Sequence, residues 1–162
     1  MDAKLKEAMN EQIRNEFYSA YMYLAMAAYC ESVNLPGFSH WLKVQAREEQ
    51  DHGMKIFSFL IDTGVRVKLL AIDQPPAEFE SATDVFEQVL KHEKKITALI
   101  NKLYNLAVEA NDTASMVMLQ WFVTEQVEEE KNAARILSML KMVRPDSAGM
   151  IMLDRELGKR EG

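Results

Sequence analysis

Long stretches without a helix breaker constrain this chain more than anything else in it. From Ala3 to Ser32 there is neither glycine nor proline, and all 162 residues hold only six glycines and four prolines. The few breaks divide the chain into four long segments and a short one. The first closes at Asn34-Leu35-Pro36-Gly37, where proline suits the opening turn of a new helix. The second runs from about Pro36 to Thr63 and stops at Gly64, a helix-ending residue. Residues 65–81 contain Pro75-Pro76 and end in Ser81-Ala82-Thr83-Asp84, which reads as a capping box with Asp in the Glu position. The third spans about 82–110, and Asn111-Asp112 supplies a turn and a fresh N-cap. The fourth spans about 113–143, until Arg144-Pro145-Asp146-Ser147 breaks it and leaves room for a fifth helix over 147–158.

Within each long segment apolar residues recur every three or four positions, the helical period, and no strand-like alternation or internal repeat occurs. Helices of about 28 residues are ~42 Å long. The short connections near residues 35 and 111 each join an antiparallel pair. The middle connection is long enough, at ~50 Å when extended, to run the length of the bundle. The expected fold is all-α: one domain over 1–162, a four-helix bundle running up-down-down-up with one long crossover, plus a short C-terminal fifth helix.

Each helical stripe is apolar at its ends and polar in its middle. Helix one reads Leu5, Met9, Gln12, Glu16, Ala20, Tyr23, Ala27, and helix two reads Phe38, Leu42, Gln45, Glu49, His52, Ile56, Phe59. Helix three reads Phe86, Val89, Glu93, Ile96, Ile100, Leu103, and helix four reads Leu119, Phe122, Gln126, Glu129, Ala133, Ile136, Leu140. Glu16, Glu49, Glu93 and Glu129 are therefore expected at one depth, facing one another. A single buried glutamate is ordinarily paired or peripheral. Four together are different, because each buried ion costs several kcal/mol and like charges raise one another's pKa. No Lys or Arg lies on these stripes; Lys43, Arg47 and Lys94 fall beside them. Bound cations are the economical explanation. Glutamates with one histidine form a hard, oxygen-rich set suited to iron or manganese. Glu49-x-x-His52 puts two ligands on one helix face, the spacing used in di-iron carboxylate bundles.

Glu48, Glu125 and Glu128 flank the inner residues by one position. They read either as a solvated helix face or as a third, weaker metal position. Tyr23, two turns after Glu16, and Trp121, one turn before Glu125, fit either electron donors or packing side chains, with packing favoured for Trp121. His92 falls off the stripe and is expected at the surface, His40 is expected to pack or to line an interface, and Cys30 to behave as a small buried hydrophobe. A single cysteine excludes a disulfide framework and Cys-based zinc modules.

Hydrophobic residues at 48% and charged residues at 27% are the balance of a soluble globular chain. A net charge of −6 argues against nucleic acid and suits a handler of cations. The charged N-terminus has no signal-peptide core, which points to the cytoplasm. The longest uncharged stretch, Phe17 to Cys30, is shorter than the ~20 residues of a membrane helix, so no membrane partner is expected. That same stretch is apolar nearly all round and needs cover on every side, which predicts a homo-oligomer.

Three stretches together resemble the non-haem ferritins of bacteria and archaea: Asn15-Glu16-Phe17-Tyr18-Ser19-Ala20-Tyr21, Arg47-Glu48-Glu49-Gln50-Asp51-His52, and Gln120 through Glu130. The resemblance covers essentially the whole chain and implies the ferritin-like fold. It implies Glu16, Glu49 and His52 as ligands of a first iron. For a second iron it implies Glu49, Glu93 and Glu129, with Gln126 close by. A third site follows at Glu48, Glu125, Glu128 and Glu129. The implied activity is ferroxidase: Fe(II) is oxidised by O2 or H2O2 and stored as ferric mineral inside a hollow cage of roughly two dozen identical chains. Bacterioferritin is set apart by a second Glu-x-x-His on helix four, where this chain has Gln126 and Glu129, and by a haem-ligating Met where this chain has Gln50, so no haem is expected. A non-storage di-iron or di-manganese redox enzyme such as a peroxidase is the competing reading, and a bundle without metal the third.

Overall fold

The computed structural model describes residues 1–162 as five α-helices and no strands. They are α1 (Ala3–Ser32), α2 (Pro36–Asp62), α3 (Ala82–Glu109), α4 (Thr113–Met142) and α5 (Ala148–Leu157). Side-chain caps start three of them: Asp2 accepts from Lys4 N at 2.9 Å, Ser81 from Asp84 N at 3.1 Å, and Asp112 from Ser115 N at 3.1 Å. The expected capping box at Ser81 is incomplete. Asp84 is too short to close it and instead accepts from Glu80 N, one residue earlier, at 3.0 Å.

The ends of α1, α2 and α3 share one device. Asn34, Gly64 and Asn111 take positive φ values of 60°, 74° and 52°. The following amide then reaches back to the helix at Cys30, Leu60 and Ala107, which are Schellman closures. Glycine and asparagine tolerate that conformation best, so the breaks read from the sequence have a backbone cause.

The N-terminus of α2 has no cap from its own neighbours. Asp154 of α5 serves instead, its Oδ1 accepting from Gly37 N at 2.8 Å and Phe38 N at 3.0 Å. Gly37 is needed there, since a Cβ would collide with the Asp154 backbone. Met150, Leu153 and Leu157 meanwhile bury the apolar face of α5 in the bundle.

The bundle runs up-down-down-up, and the segment between α2 and α3 is the long crossover. Lys68 N on that crossover donates to Asn10 Oδ1 at 2.6 Å, and Phe79 is buried near its end. Two apolar cores fill the two ends of the bundle. One joins Met22–Cys30, Phe38–Ala46, Ala82–Val89 and Ala133–Leu140 with α5. The other joins Leu5–Ile13, Ile56, Leu60, Ile96–Ala107, Leu119 and Phe122. Each fully buried Leu, Ile or Phe contributes about 1.5–3 kcal/mol, and these cores stabilise the polar belt between them. Near the end of α2 the stripe shifts by one residue: Leu60 is buried and Phe59 only half-buried. On α1, Tyr21 and Leu24 remain 51% and 44% exposed, so its apolar face is not covered within one chain. No helix is long and apolar enough to cross a membrane.

Candidate metal centre

Between the two cores each of the four long helices contributes buried polar residues. From α1 come Gln12, Glu16 and Ser19; from α2, Gln45, Glu49 and His52; from α3, His92 and Glu93; from α4, Gln126 and Glu129. The four glutamates meet at one depth as their stripes require, and none of them pairs with a Lys or Arg. His52 is the one basic partner, with Nδ1 3.3 Å from Glu49 Oε2.

Amides hold the carboxylates in place. Gln12 Nε2 donates to Glu16 Oε1 at 2.7 Å, one turn along α1. Gln45 Nε2 donates both to Glu49 Oε1 at 2.9 Å and, across the seam to α4, to Glu129 Oε2 at 2.8 Å. Gln126 Nε2 donates to Glu93 Oε2 at 3.1 Å, and the Tyr23 hydroxyl donates to Glu93 Oε1. Glu16 Oε2 is buried with no partner at all. An orphaned carboxylate oxygen inside a protein is costly, and a cation is the partner that would satisfy it.

Electrostatics point the same way. Burial, then the neighbouring Glu49, push Glu16 well above the carboxylate range. Burial, again with Glu49 next, raises Glu93 to about 7. Glu129 rises to about 9 through burial, then Glu49 and Glu93. Burial opposes charge on His52, but its hydrogen bond and attraction to Glu49 outweigh that and raise it. Burial, then Glu93, raise the Tyr23 hydroxyl well above its usual value, so it stays a donor. A divalent ion would relieve this mutual repulsion at once.

Two groups converge tightly enough to grip an ion: Glu16, Glu49 and His52, and also His52, Glu125 and Glu129, with donor atoms within 4.8 Å of one another in each. The first matches the set implied for a first iron. Glu49, Glu93 and Glu129 do not converge to that radius; the Glu93 carboxylate is bonded to Tyr23 and Gln126. Of the outer residues only Glu125 joins a tight group, and burial first, then Glu128, Glu48 and Glu49, raise its pKa against the lowering pull of His52. Glu48 pairs with Arg160, and Glu128 is exposed.

Several sequence expectations need correction. His92 is buried rather than at the surface: Ser19 Oγ lies 2.7 Å from its Nε2, Tyr18 and Tyr23 rings flank it, and burial lowers its pKa to about 4. Trp121 is 37% exposed rather than core, with Lys55 Nζ 4.2 Å above its ring and His52 against its edge. Gln45 and Arg160 join the site beyond the residues that the sequence singles out. For Gln45 the signal was present, since Gln12-x-x-x-Glu16 and Gln45-x-x-x-Glu49 each set an amide one turn before a stripe carboxylate.

A four-helix bundle with a buried carboxylate and histidine centre defines the class of ferritin-like carboxylate bundles. The chain belongs to the ferritin family: the Ferritin-like domain matches residues 6–143. It is 39% identical over 150 residues to a probable bacterial non-heme ferritin-like protein of Haemophilus influenzae, covering 93% of this chain and 91% of that one. A bacterial non-heme ferritin of Staphylococcus aureus is 34% identical over 160 residues, covering 99% and 96%. Among solved structures, an open-pore ferritin from the hyperthermophilic archaeon Archaeoglobus fulgidus superposes with a TM-score of 0.98 at 44% identity, covering 99% of each chain. A closed form of that ferritin, engineered by site-directed mutagenesis, gives 0.97 at 45% identity, covering 99% of this chain and 98% of that one.

Proposed function

We propose that this chain is an iron-storage ferritin with ferroxidase activity. The observation that carries the reading is the belt of four buried glutamates and a histidine with no Lys or Arg to neutralise them. Family membership and the bacterial non-heme ferritin relatives support storage. Fe(II) is the substrate. Two ions bind between the helices, the first against Glu16, Glu49 and His52, the second against Glu49, Glu93 and Glu129 with Gln126 beside it. Each ion gives one electron to O2 or H2O2. Hard anionic oxygens favour Fe(III) over Fe(II), so the carboxylates drive oxidation, and repulsion among product ions favours their departure.

Glu49 lies between the two positions and is bonded by both Gln45 and His52. The contact of Tyr23 with Glu93 supports a role for its side chain as donor of a further electron when O2 is reduced beyond peroxide. Glu48, Glu125 and Glu128, with Glu129, form the outer, third position. The ferric product mineralises inside a cage of roughly two dozen copies, and the uncovered Tyr21 and Leu24 face of α1 supports association of copies. A cytoplasmic setting fits an Fe(II) supply.

The test is stopped-flow oxidation of Fe(II) together with light scattering before and after iron loading. Glu49→Ala and His52→Ala should each slow oxidation by about 100-fold while the particle size stays that of the parent. Unchanged rates would refute the site. A dimer or monomer retaining about two irons per chain would refute storage and favour a non-storage redox enzyme.

A further inference from the structure

The C-terminal tail reaches this centre from outside the bundle. After α5 ends at Leu157, residues 158–162 turn back along the N-terminal half of α2. His40 Nε2 donates to the Arg160 carbonyl at 2.7 Å, the Arg160 guanidinium lies 4.3 Å above the Trp41 ring, and Gly162 comes up against Val44. The Arg160 side chain is 18% exposed, far less than a tail residue ordinarily is. Its three hydrogen bonds all go to α2. Nη1 donates to the Trp41 carbonyl at 3.3 Å and to Gln45 Oε1 at 3.0 Å, and Nη2 donates to Glu48 Oε2.

Gln45 is the link inward. With its oxygen turned to Arg160, its Nε2 must face the centre, where it donates to Glu49 and Glu129. The reverse orientation would set an amide oxygen against the Glu49 carboxylate and an NH2 group against a guanidinium. Arg160 therefore selects the orientation that ties α2 to α4 through the centre. Its pairing with Glu48 has a second effect. A guanidinium is a fixed positive charge, and here it sits on one of the carboxylates that would otherwise face Glu125 and Glu128.

We propose that Arg160 is a positioning residue of the metal centre: through Gln45 it holds Glu49 and Glu129 in register, and by pairing with Glu48 it weakens the outer metal position. The inference rests on the metal-centre reading above and adds to it a residue from the far end of the chain.

The two branches separate by substitution. Arg160→Met removes both. Arg160→Lys keeps a charge for Glu48 but lacks the planar fork needed to hold the amide as well. Gln45→Met removes the amide alone. Anaerobic Zn(II) titration of metal-free protein by calorimetry reads the outer position, and stopped-flow Fe(II) oxidation reads the inner pair. In Arg160→Met the third Zn(II) ion should bind about tenfold more tightly than in the parent, whereas in Arg160→Lys and Gln45→Met its affinity should stay within about twofold. Oxidation should slow by about five- to tenfold in all three, and Arg160→Met with Gln45→Met should be no slower than Gln45→Met alone.

Parent-like third-ion affinity in Arg160→Met, or parent-like oxidation in Arg160→Met and Arg160→Lys, overturns the inference. If Arg160→Met fails to assemble, Arg160→Lys decides: slower oxidation with unchanged third-ion affinity supports the role, and parental rates overturn it. A parent chain that binds no Zn(II) at all overturns the metal-centre reading itself, and this inference with it.

Discussion

Glu129→Gln, followed in metal-free protein as the pH changes, tests the buried carboxylates most directly. Glu129 is buried in the seam between α2 and α4, and burial with Glu49 and Glu93 raises its pKa from 4.5 to about 9. The unfolded chain loses this proton near 4.5, while the folded chain keeps it until about 9. Stability from this group is therefore fully present below 4.5 and falls as pH rises through that window. At about 1.4 kcal/mol per pH unit, the folding cost is about 2 kcal/mol at pH 6 and about 5 kcal/mol at pH 8. Glutamine keeps the shape and still meets Gln45, but carries no proton to hold. The stabilisation by Glu129→Gln should thus grow by about 3 kcal/mol between pH 6 and pH 8, which is roughly 6–12 °C in Tm for a chain of this size. Both conditions lie above the sequence pI of 5.2, where the net charge keeps the protein soluble. The assay is differential scanning calorimetry on chelator-treated parent and variant at one protein concentration. A Tm difference that is the same at both pH values would refute the argument, because an effect of packing alone has no pH slope. With Fe(II) bound anaerobically the order should reverse, since the variant has lost a ligand.

Other perturbations probe the frame around the centre. Asp154→Ala strips the acceptor from Gly37 N and Phe38 N and should cost about 1–2 kcal/mol, read as a lower Tm with stronger solvent exposure of Trp41 in fluorescence. An unchanged Tm would mean that α5 does not cap α2 in solution. Gly64→Ala meets no neighbour within 4 Å but must hold φ near 74°, so it should cost about 1–2 kcal/mol by urea denaturation from backbone strain alone. Gly64→Asn, which tolerates that conformation, should recover most of the loss.

Much of this molecule is legible in its sequence because two signals reinforce each other. Helix ends fall where Asn34, Gly64 and Asn111 adopt positive φ, and the stripes between them run at the helical period. Glu16, Glu49, His52, Glu93, Glu129 and Gln126 were visible for the same reason: on a straight helix, stripe position alone decides which way a side chain faces. Two residues off the stripe differ from expectation. His92 looked external because its helix alone presents it sideways, but Ser19 and two tyrosines of α1 close over it. Trp121 differs in the opposite sense: expected to pack in the core, it lies at the edge, where Lys55 and His52 shelter it. Glu48 flanks the inner stripe as expected, but its partner is 112 residues away. A contact of that range has no periodic trace in the sequence, and neither has the tail's grip on Gln45.

The long crossover has a consequence for how the chain comes together. It splits the molecule into two hairpins, α1–α2 and α3–α4, whose helices are neighbours along the sequence and pack closely. Each hairpin can form from local contacts, whereas joining them must close the loop between α2 and α3. The centre is divided across that joint: Glu16, Glu49 and His52 stand on one half, Glu93 and Glu129 on the other. Like charge acts within each half, between Glu16 and Glu49 and between Glu93 and Glu129, and again across the joint, where Glu49 meets Glu93 and Glu129, so it also resists their docking. A cation captured there turns the last, repulsive stage of assembly into an attractive one and acts as a clasp between the halves. An ion shared by His52 of one half with Glu125 and Glu129 of the other would hold shut the joint that their like charge opposes.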